Sequence, residues 1–185
     1  MNLCGIDEAG RGPLAGPLVV AGVVLKNDIE GLNDSKKLTE KKREILYEQI
    51  ILNSSYHIVS TSNDTIDEIG LSKAIKNSIE QIIKNIDANE YLMDGNTSFG
   101  INILQHKIKA DATVKEVSAA SILAKVTRDR FMCSLSKQFD KYEFDKHKGY
   151  GTKKHIELIK KYGLSSLHRK SFKLKALEEQ PSLFN

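Results

Sequence analysis

Apolar and polar residues along the chain are patterned in segments that predict strands and helices in turn. Residues 18–25 are a nearly unbroken apolar, valine-rich run, which is typical of a buried strand. Residues 64–85 carry isoleucines at helical spacing, and we expect Gly70 to divide this helix into two pieces. The remaining strands are predicted at residues 56–61, 90–94 and 103–109.

Capping signals mark the other helices. Thr39 is the predicted N-cap of a helix that runs to about residue 52, and Thr152 is the predicted N-cap of a helix that Gly163 ends. Residues 117–139 are rich in alanine, leucine and isoleucine and predict a long helix. Because strands come first and then alternate with helices, the sequence predicts an α/β fold, with a mixed sheet flanked by helices in one domain.

Composition sets limits on the class of protein. The 185 residues are enough for one domain with a real core, and 40% apolar and 28% charged residues are ordinary values for a globular chain. No apolar run approaches 18 residues and no basic-then-apolar leader begins the chain, so we expect a cytoplasmic protein with no membrane span. We also expect a monomer. Cys4 and Cys133 form no C-x-x-C pair and are predicted to be reduced thiols. The net charge of +4 allows nucleic-acid binding without establishing it.

The densest chemistry lies at residues 5–17, which read GIDEAGRGPLAGP. An apolar lead-in brings two adjacent carboxylates, Asp7 and Glu8, to a segment of glycine and proline. Glycine permits positive φ and close backbone approach, so such a turn suits a metal ion with a phosphate held against backbone N–H groups. The alternative is a surface turn that follows two acidic residues.

Two further acids follow predicted strands. Asp94 opens a turn with Gly95, and Asp111 comes directly after the next strand. With Asp7 and Glu8 they make four carboxylates at predicted strand ends, where the ligands of open α/β sheets gather. Crowded carboxylates repel one another, whereas two divalent cations would neutralise them, and oxygen ligands favour Mg²⁺ or Mn²⁺ over zinc. The alternatives are a simple turn residue for Asp94 and a helix-entry acid for Asp111.

These motifs resemble those of one known family. Residues 5–13 resemble the N-terminal motif of the type 2 ribonucleases H, and the resemblance extends to about residue 172. The aspartates of residues 91–95 (YLMDG) and 109–112 (KADA) match the remainder of that family's acidic quartet. Residues 117–126 (VSAASILAKV) look like its signature helix, beyond which Asp129 is read as an ion-pair partner on the helix surface.

The resemblance implies a fold, a domain division and a metal site. The fold would be ribonuclease H-like with a helical C-terminal part, formed by a catalytic domain at residues 1–175 and a tail at residues 176–185. The main ligands of Mg²⁺ or Mn²⁺, two ions with substrate bound, would be Asp7, Glu8 and Asp94, with Asp111 completing the site.

It also implies a reaction. Members of this family cut the RNA strand of RNA–DNA hybrids and cut on the 5′ side of single ribonucleotides embedded in duplex DNA, leaving 3′-hydroxyl and 5′-phosphate ends. The Gly10-Arg11-Gly12 segment would read the ribose, and Tyr150 would sense the ribose-to-deoxyribose junction. Arginine at position 11 resembles type 2 rather than type 3 enzymes, which carry lysine there. From the residues alone, Tyr150 is equally well explained as a packing residue.

Basic residues supply candidate phosphate contacts. Each one taken singly is better explained as a solvated surface side chain, and only the group indicates a sequence-independent grip on nucleic acid. Ser171 lies in the same basic loop and joins the candidate substrate contacts. The basic candidates are Lys36, Lys37, Lys148, Lys153, Lys154, Arg169 and Lys170.

Two functions of other classes compete with hydrolysis. A non-catalytic nucleic-acid binder could keep this scaffold, but loss of a carboxylate would mark it and all four are present. A nucleotide-binding phosphotransferase could use the glycine-rich turn, but the sequence contains no G-x-x-x-x-G-K-[ST] motif.

The last residues of the chain carry a separate hypothesis. Gln180, Ser182, Leu183 and Phe184 resemble the short peptide by which bacterial replication and repair proteins dock on the sliding clamp. Pro181 prevents a helix from continuing through this segment. The alternative is that Leu183 and Phe184 fold back onto the core.

Overall fold

One mixed sheet of five strands organises the computed structural model, which describes residues 2–172. The strand order is β3-β2-β1-β4-β5. The pairs β1–β2 and β2–β3 are antiparallel, whereas β1–β4 and β4–β5 are parallel, so the sheet changes character at β1. The strands are β1 (Leu3–Ala9), β2 (Leu18–Leu25), β3 (Ser54–Thr61), β4 (Glu90–Asp94) and β5 (Leu104–Lys107).

Helices cover both faces of this sheet. Short 3₁₀ turns precede α1, α4 and α5, at Ser35–Lys37, Ala110–Ala112 and Asp140–Tyr142. The helices are α1 (Glu40–Asn53), α2 (Asn63–Ile69), α3 (Leu71–Asn85), α4 (Lys115–Ser136), α5 (Phe144–His147) and α6 (Lys153–Tyr162). Within residues 2–172 no helix is both long and apolar enough to cross a membrane.

The core forms two layers because alternate residues of β2 point to opposite faces of the sheet. Leu18 and Val20 join the isoleucines of α2 and α3 on one face, and Val19, Ala21 and Val23 join α1 and α4 on the other. The start of α4 lies directly on β1. A Cβ at Gly5 would come within 2.2–2.3 Å of its backbone atoms, so this close approach requires glycine.

The predicted elements are confirmed, with small shifts at their ends. Thr39 and Thr152 cap α1 and α6 through their side chains, and Gly70, at φ +82°, separates α2 from α3. The long predicted helix is α4, which begins and ends a few residues earlier than expected. Cys4 and Cys133 are free thiols.

Two expectations about the acids are wrong in detail. Asp7 and Glu8 were expected where a strand gives way to a turn, but both lie inside β1, because β2 continues to pair with them. Asp111 lies in a 3₁₀ turn that follows β5 by several residues. Only Asp94 is the last residue of its strand.

The chain after α4 folds into a small second cluster. Met132, Tyr142 and Phe144 pack around Ala15, so this helical part rests on the segment that follows β1. The C-terminal part is helical as predicted, through α5 and α6. The predicted tail at residues 176–185, with its docking peptide, lies outside the described residues.

Candidate active site

Three of the four predicted carboxylates converge at the centre of the sheet. Parallel pairing of β1 with β4 places Ile6 beside Met93, so the next residues, Asp7 within β1 and Asp94 at the end of β4, lie side by side. The 3₁₀ turn after β5 adds Asp111. One carboxylate oxygen from each of these aspartates lies within 4.8 Å of the other two.

Backbone hydrogen bonds hold the three aspartates in place. Asp7 Oδ1 accepts from the Glu8 N–H at 2.7 Å, and Asp94 Oδ1 accepts from the Ala110 N–H at 2.7 Å. The second bond ties the end of β4 to the turn that carries Asp111. In addition, the Ser118 hydroxyl of α4 donates to the backbone carbonyl of Asp111.

Glu8 lies beside this cluster and is not one of its three members. Its Oε1 accepts from Arg11 Nη1 at 3.3 Å, and the arginine side chain is half exposed. Its Oε2 is buried and has no hydrogen-bond partner within residues 2–172. A buried carboxylate oxygen without a donor is costly unless a cation or a ligand satisfies it.

Burial raises the pKa values of three site acids. For Asp7 burial is the largest cause, and the charges of Glu8, Asp94 and Asp111 raise the pKa further, to well above its usual range. Burial likewise raises the pKa of Glu8 against the opposing charge of Arg11, and burial and Asp94 raise the pKa of Asp111. Folding therefore brings together carboxylates that repel one another.

The negative charge of the site acids also affects Lys36. Burial lowers the pKa of Lys36, but the carboxylates of Asp7, Asp34, Asp111 and Asp94 together outweigh burial, and the net shift of its pKa is upward. Lys36 thus sits in the negative field of the site and remains charged.

This donor set fits a hard divalent cation. All of the nearby ligand atoms are carboxylate oxygens, which suit Mg²⁺ or Mn²⁺ and not zinc. Two observations support the fit: the raised pKa of Asp7, and the partnerless Oε2 of Glu8. A cation among the three aspartates would relieve their repulsion, and a cation or ligand beside Glu8 would satisfy its orphaned oxygen.

A cleft of about 240 Å³ opens beside the carboxylates. One wall is the glycine-rich loop (residues 10–17), of which Gly10, Arg11 and Gly12 line the cleft. The tyrosine loop (residues 148–152) forms another wall through Tyr150, and Lys36 also lines the cleft. The cleft thus brings together two of the four predicted metal ligands, Asp7 and Glu8, with the predicted Gly-Arg-Gly segment and the predicted junction sensor.

Two glycines of the glycine-rich loop, Gly10 and Gly12, differ in whether a side chain would fit at their positions. Gly10 has φ +98°, and a Cβ there would come within 2.5 Å of the Pro17 carbonyl oxygen and 2.4 Å of Arg128 Nε. Gly12 has no positive φ, and a Cβ there would meet no atom within 4 Å. Packing within residues 2–172 therefore accounts for Gly10 but does not account for Gly12.

Seven predicted substrate contacts do not line the cleft: Lys37, Lys148, Lys153, Lys154, Arg169, Lys170 and Ser171. Arg169 was expected to bind phosphate, but it is 2% exposed and donates to the carbonyls of Gly10, Arg11 and Gly16, so it supports the glycine-rich loop from beneath. The Ser171 hydroxyl donates to Asp67. Lys37 is exposed to solvent outside the cleft.

Some cleft residues were not identified from the sequence. Ser35 and Ser121 line it and are joined by a hydrogen bond of 2.6 Å between their hydroxyls. Lys125 also lines it and pairs with Asp129 at 2.8 Å, which confirms Asp129 as an ion-pair partner. The sequence signal that could have identified Ser121 and Lys125 is their helical spacing, since residues four apart lie on the same face of α4.

Buried histidines support the tyrosine loop. His155 Nδ1 lies 2.9 Å from the Tyr150 carbonyl oxygen and must therefore donate to it, which leaves its Nε2 to accept from His168 Nε2 at 3.1 Å. His168 Nδ1 then accepts from the Ser165 N–H at 2.8 Å, so every ring nitrogen of the pair is satisfied in the neutral form. Burial lowers the pKa of both histidines to about 4.

A mixed sheet with acids on its two central parallel strands, flanked by helices and suited to divalent cations, defines a nuclease of the ribonuclease H-like class. The chain belongs to the ribonuclease HII family, whose model matches residues 4–175. It is 63% identical over 190 residues to ribonuclease HII of Aliarcobacter butzleri, covering 99% of each chain. It is 56% identical to ribonuclease HII of Sulfurovum, covering 98% of this chain and 96% of that one.

The fold agrees with a solved relative. In the structure of the PCNA:RNase HII complex from Archaeoglobus fulgidus, the matched chain is 28% identical, with a TM-score of 0.82 over 99% of this chain and 98% of that one. The protein is therefore a ribonuclease H, an endonuclease that hydrolyses phosphodiester bonds, from a metal-dependent family.

Proposed function

We propose that the enzyme cuts the RNA strand of RNA–DNA hybrids and cuts 5′ of single ribonucleotides in duplex DNA, leaving 3′-hydroxyl and 5′-phosphate ends. The observation that carries the proposal is the continuity of one cleft from Asp7 and Glu8, through Gly10, Arg11 and Gly12, to Tyr150. A scissile phosphate at the acids would place the neighbouring sugar against these two loops.

The proposed metal ligands are Asp7, Glu8, Asp94 and Asp111, which would hold two Mg²⁺ or Mn²⁺ ions with substrate bound. When bound, such ions activate water and neutralise the charge that develops on the leaving oxygen. The protein's own part is to fix the carboxylates through the Glu8 and Ala110 N–H groups. Within residues 2–172 no histidine lines the cleft to act as a general base.

Recognition of the ribonucleotide is assigned to the two loops. The open space at Gly12 lets a sugar approach the backbone closely, which a side chain would prevent. Backbone groups there would read the 2′-hydroxyl, the group that distinguishes RNA from DNA. The ring of Tyr150, 39% exposed and facing the cleft, would lie against the sugar at the junction. Lys36 in the cleft and Lys37 outside it would bind phosphates.

Cleavage of a duplex with one embedded ribonucleotide tests the reaction. Asp7→Asn and Asp94→Asn should each lower the rate more than tenfold in Mg²⁺, which corresponds to about 1.4 kcal/mol in the barrier. Binding of the duplex should survive, since phosphate contacts carry most of it. Asp28→Asn, which removes an exposed acid paired with Lys115, is the matched control. A site variant that keeps more than a tenth of the wild-type rate would contradict the assignment.

Specificity is tested at the two loops. Tyr150→Ala should reduce cutting at a single ribonucleotide more than it weakens binding to plain DNA, and equal losses would make Tyr150 a packing residue. Arg11→Lys keeps the charge but not the fork geometry of the guanidinium, so a change in substrate preference would show that the geometry is used.

We further propose that residues 1–175 act as a monomeric catalytic domain in the cytoplasm and that the tail docks on the replication sliding clamp. The tail pattern of Gln180, Ser182, Leu183 and Phe184 supports docking, and the Archaeoglobus fulgidus relative was solved in a complex with PCNA. A short peptide with two apolar anchors should bind at about micromolar affinity. Deletion of residues 180–185 should abolish clamp binding without changing cleavage, and unchanged clamp affinity would refute docking.

A further inference from the structure

Arg128 of α4 is a buried arginine that the reaction does not explain. Its exposed fraction is 0%, and within residues 2–172 it makes no ion pair. Removing a charge from water costs several kcal/mol, so a fully buried guanidinium without a carboxylate needs compensating hydrogen bonds. Burial accordingly lowers the pKa of Arg128.

The compensation comes from backbone carbonyls of two different loops. Nε donates to the Pro17 carbonyl at 2.9 Å and Nη2 to the Ala15 carbonyl at 2.9 Å, both in the glycine-rich loop. Nη1 donates to the Lys148 carbonyl at 2.8 Å, in the tyrosine loop. One planar group therefore fixes the distance between the two walls of the cleft.

The loops are shaped to admit this contact. A Cβ at Gly10 would lie 2.4 Å from Arg128 Nε, and a Cβ at Gly149 would lie 2.4 Å from the Ala15 carbonyl oxygen. The Leu14 N–H also donates to the Gly149 carbonyl at 2.8 Å. Gly10 thus makes room for Arg128, and Gly149 makes room for the docking of one loop on the other.

The same guanidinium reaches the side chain that faces the cleft. Its Cζ lies 5.5 Å from the centroid of the Tyr150 ring, within the range of a cation–π contact. Arg128 therefore touches Tyr150 at the ring and also holds the loop backbone two residues earlier. It is not among the residues that line the cleft.

We propose that Arg128 is a positioning residue for substrate selection, which sets the Tyr150 ring at a fixed distance from the Gly-Arg-Gly segment. The inference rests on the proposed role of Tyr150 in sensing the ribonucleotide junction. Arg128 acts through Tyr150 and is not itself a substrate contact. Lysine cannot replace it, because a single ammonium cannot reach three carbonyls in the plane that a guanidinium spans.

A double-mutant cycle tests the proposal in the full-length enzyme with Mg²⁺ and a duplex carrying one ribonucleotide. Arg128→Lys should lower kcat/KM at least tenfold in the wild-type background and less than twofold in the Tyr150→Ala background. A role confined to general stability would give the same loss in both backgrounds, which would overturn the proposal. Arg130→Lys, on the same helix but paired with Glu44 and Glu48 at the surface, is the matched control and should change neither rate.

The outcomes also separate this inference from the proposed function. If Tyr150→Ala cuts single ribonucleotides as well as wild type, the proposed recognition fails. If Tyr150→Ala is impaired and Arg128→Lys is not, only the inference about Arg128 fails. Should Arg128→Lys unfold below the assay temperature, the cycle is run with Arg128→Gln, which keeps an amide donor on the stem. If neither variant folds, Arg128 is a folding residue and the proposal is overturned.

Discussion

Repulsion among the carboxylates of the metal site should lower the stability of the metal-free enzyme. A substitution that removes one of these charges should therefore raise stability even though it abolishes activity. We predict that Asp7→Asn stabilises the metal-free enzyme. The amide oxygen can still accept from the Glu8 N–H, as Oδ1 does now, while the buried charge is removed. At the pH of the assay this charge is unfavourable in the folded state, because burial and the neighbouring acids raise the pKa of Asp7.

The magnitude follows from the spacing of the acids. Two full charges 4.8 Å apart interact by about 3.5 kcal/mol at an effective dielectric constant of about 20. Because burial and neighbouring charge raise the pKa of Asp7 and so favour its neutral form, we expect less than this full repulsion, a gain of about 1–2 kcal/mol, which corresponds to roughly 2–8 °C in Tm for a chain of this size.

The assay is thermal unfolding in EDTA and in Mg²⁺ or Mn²⁺. Wild type should gain about 2.7 kcal/mol from a cation at about 100 times its Kd, whereas Asp7→Asn should gain much less. Asp28→Asn should behave oppositely in EDTA, because hydrogen bonding to Lys115 lowers the pKa of Asp28 and its charge is favourable when folded. A lower Tm for Asp7→Asn in EDTA, or an undiminished shift with the cation, would refute the reasoning.

Three further predictions concern the loops and the core. Gly12→Ala should leave Tm within a few degrees but reduce cleavage, whereas Gly10→Ala should lower Tm because its Cβ would strike backbone; equal Tm values for the two would contradict this contrast. Gly5→Ala should cost more than about 2 kcal/mol in urea unfolding, since α4 lies against its Cα, and a neutral result would show that the helix can shift. As the pH is lowered from about 6.5 to about 4, the free energy of unfolding should fall by up to about 1.4 kcal/mol per pH unit for each of His155 and His168. The reason is that in this range the histidines are protonated in the unfolded state but neutral in the folded state. His155→Gln should reduce that slope, and an unchanged slope would exclude the pair as its source.

Local signals made most of the elements predictable. The β-branched run gave β2, threonine caps gave the starts of α1 and α6, and Gly70 gave the break between α2 and α3. Each of these depends on residues close in sequence, so no tertiary information was needed.

Convergence of the acids could not be read from spacing. It depends on the parallel register of β1 and β4, in which Ile6 lies beside Met93, and these strands are far apart in the chain. The sequence also did not indicate that Arg169, predicted to contact phosphate, instead donates to backbone carbonyls of the glycine-rich loop. A basic loop indicates a surface that meets phosphate, but the acceptors that bury this guanidinium are backbone carbonyls, which leave no trace in the sequence.

The hydrogen bond from the Ala110 N–H to Asp94 Oδ1 determines which substitution of Asp94 can measure metal coordination by itself. Asp94 is at once a candidate ligand and the anchor of the turn that presents Asp111. Truncation to alanine would delete both roles together, and the resulting defect would be assigned to coordination although part of it arises from a displaced neighbour. Asparagine keeps the acceptor and removes the charge, so the difference between the two variants isolates the contribution of scaffolding from that of ligation.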